Sequence, residues 1–220
     1  MTERILDWRP RHDSRSLDFR IKRLTPDKEL RGRNRVWKRT IWLDQGSEGA
    51  CTGFGFAHTW GTTPRRKLFV TDQFGRERYY RARQVDEWPG EDYEGSSVLG
   101  AMKAAHEDGL IKSYHSAYSL AEIVYAVSYH GPVEIGVNWY EGMFDTTSTG
   151  YVYPTGDLAG GHALAIGGVN MANKNFILYN SWGKSWGRDG AALLNFSDME
   201  RLLHEGGEVI LPKKPILPLW

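Results

Sequence analysis

Gln45-Gly46-Ser47-Glu48-Gly49-Ala50-Cys51-Thr52-Gly53-Phe54-Gly55-Phe56-Ala57-His58-Thr59-Trp60 is the stretch on which the reading of this chain turns. It carries the only cysteine among 220 residues. A polar loop with Gly46, Gly49 and Ala50 leaves main-chain amides open to close approach, and the small and aromatic run after Cys51 suits a buried helix. The sulfur then stands at a helix start, where exposed N–H groups and the positive end of the helix macrodipole favour thiolate over thiol. A lone cysteine is more often a small buried hydrophobe, so the nucleophile reading needs support from elsewhere.

Support comes from two downstream segments, Gly160-Gly161-His162-Ala163-Leu164-Ala165-Ile166-Gly167-Gly168 and Phe176-Ile177-Leu178-Tyr179-Asn180-Ser181-Trp182-Gly183-Lys184-Ser185-Trp186-Gly187. Both read as strands with one chemically able side chain at an end. A thiolate mechanism needs an imidazole to hold and return a proton, and a third group to fix the ring. Cys51, His162 and Asn180 supply these types in that order. His58, seven residues after Cys51, would point away along the helix, and His106, His115, His130 and His204 have no matching context.

The rest of the chain gives the architecture. Residues 1–42 are basic and mostly irregular, broken by Pro10 and Pro26. Helices are predicted over Cys51 to about Trp60, Thr71 to Val85 with Phe74, Tyr79 and Tyr80 as buried candidates, Val98 to Asp108 capped by Ser97 and ended by Gly109, and from Ser119 to the break at Gly131-Pro132. Trp88 to Ser97 reads as a loop. From Val133 the period becomes that of strands, at 133–137, 150–153, 163–169, 175–179 and 191–196. Helices followed by antiparallel strands make an α+β pattern with a cleft where the halves meet. The expected division is one catalytic domain: a strap over 1–42, a helical lobe over 43–131, a β-rich lobe over 132–211 and a tail strap over 212–220.

In these blocks the sequence resembles the papain-like cysteine peptidases, over roughly Leu43 to Phe196 and most weakly between Pro64 and Gly131. Asn180 to Gly187 keeps the family's Asn-Ser-Trp-Gly-x-x-Trp-Gly block, and Gln45 stands six before Cys51, where the family has its oxyanion-hole glutamine. The resemblance implies a two-lobed papain-like fold and hydrolysis of peptide bonds through a Cys51–His162 ion pair, with Asn180 orienting the imidazole and Trp182 covering that bond. It also implies that Gly95 and Ser96 pair with substrate backbone. Gly136, Gly160 and Ala163, with Gly161 beside them, would line a roomy, uncharged pocket for the residue two before the scissile bond. Two departures stand beside the nucleophile: Glu48 replaces a cysteine and Thr52 an aromatic residue. His162 and Asn180 follow Cys51 by 111 and 129 residues, shorter than the family's roughly 130–150, as trimmed loops would make them.

Composition narrows the alternatives. No apolar run approaches membrane-spanning length, and the first residues lack a signal-peptide core, so a cytoplasmic or virus-associated protein without membrane contact is expected. One cysteine allows no internal disulfide. No Cys or His pairs have metal-ligand spacing and no phosphate-binding glycine loop follows a strand, so neither metal nor other cofactor is expected. Net charge is +1, yet residues 1–40 hold thirteen Lys or Arg against six Asp or Glu. These charges are interleaved with Trp8, Phe19, Ile21, Leu24 and Trp37, which favours packing against an acidic body over nucleic-acid binding. The forty residues leave little room for a long inhibitory pro-segment, so a monomer active on polypeptides without cleavage is expected. The alternatives are an amidase or transpeptidase acting on cell-wall peptides or isopeptides, and an inert binding module on the same fold.

Overall fold

Three helices begin on a hydroxyl that takes up an otherwise orphaned N–H. Thr71 accepts from Phe74 N at 3.3 Å, Ser97 from Gly100 N at 2.9 Å and Ser119 from Glu122 N at 3.3 Å. The computed structural model describes residues 4–11, 13–24, 29–65, 69–86 and 95–213. In chain order its elements are β1 (Arg35–Val36), α1 (Cys51–Gly61), α2 (Asp72–Val85), α3 (Val98–Glu107), β2 (Ser113–Ser116), α4 (Leu120–Tyr129), β3 (Val133–Tyr140), β4 (Leu158–Asn170), β5 (Asn175–Tyr179), β6 (Ala191–Asn195), α5 (Phe196–His204) and β7 (Glu208–Lys213). The strands form one sheet in the order β2-β7-β3-β4-β5-β6, with β1 paired to β4. Every ladder is antiparallel.

Two apolar clusters divide the molecule. One joins Ile123 and Val127 of α4 and Met199 of α5 to Ile135, Leu164, Phe176 and Leu194 of the sheet. The other joins Phe54, Phe56 and Trp60 of α1 to Tyr79 and Ala82 of α2 and Leu99 and Met102 of α3. Ala163 and Ile210 belong to this second cluster, so the helical half meets the sheet along β4 and β7. Gly53 lets α1 and α2 touch, since a Cβ there would lie 2.3 Å from both Gly75 O and Tyr79 N. Described residues of the N-terminal segment bind the body: Ile21 is fully buried, and Trp37 Nε1, just after β1, donates to Val127 O at 2.7 Å.

Several expectations change. The strand expected at 150–153 is only a bridge from Tyr151 to Leu193. The strand expected to end at Phe196 stops at Asn195, and α5 follows because Met199 and Leu202 bury one helical face. Tyr80 is exposed while Tyr79 is buried, because Tyr79 faces α1 and its neighbour lies about 100° round the helix. A strand, β2, falls within the expected helical lobe, and β7 runs past the expected boundary at 212. Pro26, Trp88 to Glu94 of the expected loop, and 214–220 of the expected tail strap lie outside the described residues. Among the described residues no helix is long and apolar enough to cross a membrane.

Candidate active site

The strand wall of the cleft carries the imidazole and the carboxamide. His162 sits opposite Val137 in the β3–β4 ladder, and Asn180 follows directly on β5. His162 Nε2 lies 2.8 Å from Asn180 Oδ1, which also accepts Ser181 N at 2.8 Å. A carboxamide oxygen only accepts, so this contact puts the ring proton on Nε2 and leaves Nδ1 as a bare lone pair in the neutral tautomer. Nδ1 is buried with no partner among the described residues. Trp182 and Trp139 each lie 4.8 Å from the imidazole centroid, the first tilted by 30° and the second edge-on. Phe144 stacks on Trp182 at 5.6 Å. These rings keep water from the His162–Asn180 bond.

The helix wall carries Cys51 as the first residue of α1. Main-chain groups of Ala163 and Asp7 lie close enough to its sulfur to favour the thiolate. Ala163 follows His162 in β4, so the head of α1 meets the imidazole-bearing strand. Gln45 is buried, its main-chain N–H donates to Ser181 O at 2.9 Å, and its side-chain amide donates to Glu48 O at 2.9 Å. The expected oxyanion donor is therefore turned onto its own loop.

Both reacting groups are neutral in this conformation. Burial pushes the thiol up to about 12, and the charges of Asp7 and Glu134 act in the same direction against the two main-chain groups. Burial pushes the His162 imidazole down to about 4; the bond to Asn180 opposes this and the Arg4 charge adds to it. Burial thus works against the expected thiolate–imidazolium pair in this conformation. A helix start favours the thiolate only while solvent or a counter-ion reaches it, and Cys51 has no exposed surface.

What seals the sulfur is the chain's own N-terminus. Trp8 N donates to Gly161 O at 2.8 Å, Ser96 N to Asp7 O at 3.2 Å and Arg9 N to Ser96 O at 3.0 Å. A Cβ on Gly95 would meet Asp7 O at 2.2 Å, one on Gly160 would meet Leu6 Cβ at 2.9 Å, and one on Gly49 would strike the Asp7 carboxyl group. Arg4 pins the segment, bonding Asp44 at 2.7 Å and Gly46 O at 3.0 Å. Gly95, Ser96, Gly136, Gly160, Gly161 and Ala163 thus face one groove, and Leu6 to Arg9 fill it. In this structure residues 6–9 occupy the groove in which the sequence places a substrate.

The expected pocket for the residue two before the scissile bond is occupied by the chain's own indole. Trp8 fills it, and Trp8 Nε1 donates to Glu208 Oε2 at 2.8 Å. Sequence reading missed Arg4, Asp7, Trp8 and Glu208. Glu208 did leave a signal, as an acid opening the apolar run Glu208-Val209-Ile210-Leu211.

Comparison with known proteins places these features. The model of the papain family cysteine protease matches residues 74–200, which includes His162 and Asn180 and begins after Cys51. Cathepsin B-like cysteine proteinase 3 of Caenorhabditis elegans is 38% identical over 74 residues, 33% of this chain and 20% of that protein. An uncharacterized peptidase C1-like protein of Acanthamoeba polyphaga mimivirus is 25% identical over 201 residues, 67% of this chain and 62% of that protein. The chain thus spans between a fifth and two thirds of these relatives. Among solved structures, xylellain, a cysteine protease from Xylella fastidiosa, superposes with a TM-score of 0.70 at 17% identity, over 96% of both chains. Bromelain from Ananas comosus, solved with the E64 inhibitor, gives 0.58 at 17% identity over 80% of this chain and 94% of that one. At such identities the two structures speak for the fold alone. The family model spans more than half of the sequence and takes in the histidine and asparagine that meet at 2.8 Å, and this chain belongs to the papain family of cysteine proteases.

Proposed function

We propose that this chain is a thiol-dependent endopeptidase held latent by its own residues 6–9. One observation carries the reading. The His162–Asn180 bond lies under Trp182, and the Cys51 sulfur meets the main chain of the adjacent Ala163, in a groove that already holds a peptide segment by main-chain pairing.

When the segment leaves, His162 Nδ1 takes the thiol proton and the sulfur attacks a peptide carbonyl. The Cys51 N–H and the Gln45 amide, released from Glu48 O, stabilise the resulting oxyanion. The same Nδ1–H protonates the leaving amine as the C–N bond breaks, giving a thioester. Water deprotonated by Nδ1 then cleaves the thioester, and the proton returns to the sulfur.

The test compares the intact chain with Trp8→Ala, using iodoacetamide or an epoxide probe and denatured casein. Faster labelling and hydrolysis in Trp8→Ala are expected, with both abolished in Cys51→Ala and weakened in His162→Ala. If folded Trp8→Ala neither labels nor hydrolyses any peptide, the inert module replaces the peptidase. Hydrolysis confined to cell-wall peptides replaces it with the amidase.

A further inference from the structure

The loop that carries Gln45 is held from two sides. On one side Arg4 Nη1 bonds Asp44 Oδ1 at 2.7 Å and Gly46 O at 3.0 Å, while Gly46 N donates to the same Asp44 oxygen at 2.9 Å. In the peptidase reading this anchor leaves with the N-terminal segment.

The second anchor stands on α2. Arg76 Nε donates to Glu48 Oε2 at 2.9 Å, and Tyr80 Oη donates to Glu48 Oε1 at 2.5 Å. Arg76 and Tyr80 are four positions apart, so one face of the helix presents both donors. Each carboxylate oxygen has its own donor, and both bonds are charge-assisted. The bond to Glu48 is also the chief reason that the Tyr80 phenol is held above its ordinary range. The contact gives a use to a tyrosine that is half exposed. Arg76 lies 5.8 Å from the centroid of the Phe54 ring, which belongs to α1 and is fully buried. The clamp and the nucleophile therefore rest on the same pair of packed helices.

The main chain of Glu48 faces Gln45. Glu48 O accepts the Gln45 side-chain amide at 2.9 Å, and Glu48 N donates to Gln45 O at 3.3 Å. These bonds close residues 45–48 into a turn that ends three positions before Cys51. Gly46, at φ 64°, lies inside the turn and Gly49 follows it, and glycine has the widest backbone freedom of any residue. A turn of this make-up keeps one position only if something outside it holds it. Side-chain exposures of 27% for Glu48 and 36% for Arg76 make the pair a weak contributor to folding stability. Its consequence lies in placement, because a catalytic group displaced by about 1 Å costs on the order of 10²-fold in rate.

We propose that Glu48, clamped by Arg76 and Tyr80, is a positioning residue for the oxyanion site, fixing the 45–48 turn to the helical half so that the Gln45 amide is aimed once Arg4 has gone. This rests on the peptidase reading.

The test uses the full chain carrying Trp8→Ala. Adding Glu48→Ala should lower kcat on a fluorogenic peptide amide about 10- to 100-fold with KM within about threefold. Iodoacetamide labelling of Cys51, which forms no oxyanion, should stay within about twofold. Glu48→Gln, which keeps the shape and an acceptor oxygen, should recover most of the loss. In Gln45→Ala/Trp8→Ala the further addition of Glu48→Ala should lower kcat less than twofold, since the amide it aims is already absent. Independent, multiplying losses, or an equal fall in labelling and turnover, would assign Glu48 to packing and overturn the proposal. Hydrogen exchange in Cys51→Ser/Trp8→Ala reads the clamp without turnover: main-chain amides of residues 45–50 should exchange at least tenfold faster once Glu48→Ala is added. Unchanged exchange would also overturn the proposal. If Trp8→Ala hydrolyses no peptide while the exchange responds as expected, the peptidase reading falls and the clamp on the turn stands.

Discussion

Residues 6–9 and the described residues 20–24 and 29–37 lie in one basic N-terminal segment, yet they hold the body by opposite means. The later stretch is a belt of the fold itself. Ile21 and Trp37 enter the main core cluster, Arg20 makes two bonds of 3.1 Å to Glu122, which accepts little solvent contact, and β1 extends the sheet along β4. The earlier stretch bonds mostly to main-chain groups of Gly161 and Ser96, which any extended peptide can satisfy, and adds one indole, with the Arg4–Asp44 ion pair just before it. A belt made of side-chain burial has no ready competitor. A plug made of main-chain pairing has one in any extended peptide that reaches the groove.

The comparison breaks most visibly at the sulfur. With its thiol pushed up to about 12 in this conformation, Cys51 should be ionised far less at pH 8, to roughly one part in ten thousand, than an ordinary thiol at about a quarter. A raised thiol pKa favours the neutral form, so alkylation of the intact chain should climb about tenfold per pH unit from 7 to 10. Trp8→Ala should react up to about 10³-fold faster at pH 8 and level off at high pH. Identical pH–rate profiles for the two proteins would show that the segment does not control the thiol.

Next in size is the belt. Trp37→Ala should cost about 3–5 kcal/mol of folding stability, read as a lower midpoint in urea, with no gain in labelling of the folded protein. Activation by Trp37→Ala at unchanged stability would erase the distinction between belt and plug.

Gln45→Ala, placed in Trp8→Ala, should lower kcat/KM by about 2.7–4 kcal/mol of barrier while Cys51 alkylation stays within a few fold. That split separates oxyanion stabilisation from thiol reactivity, and parallel losses in both would assign Gln45 to packing. The smallest effect belongs to Arg4→Ala. The Arg4–Asp44 pair is part-exposed and worth about 1 kcal/mol or less, so labelling should rise by no more than about fivefold.

Much of the architecture was legible because it is local. Thr71, Ser97 and Ser119 announce helix starts by short-range capping, and the apolar alternation after Val133 announces strands, since each depends on neighbours within a few residues. The helix α5 was hidden because its apolar face is a pair of residues that only the finished core buries. Tyr80 was read as buried for a similar reason, since the contact of α2 with α1 through Gly53 and Gly75 selects which tyrosine turns inward.

By itself the sequence determined the residue types of the site: one cysteine at a helix start, one histidine after two glycines and one asparagine closing a strand. Those follow from covalent order and short-range geometry, and so does their family likeness. Only the tertiary structure decided that Asn180 Oδ1 sits 2.8 Å from His162 Nε2, that residues 6–9 fill the groove, and that Trp8 and Glu208 meet although 200 positions separate them. The physical reason is that burial, not composition, sets the charge of a thiol, an imidazole or a carboxyl group, and burial is a property of the assembled chain.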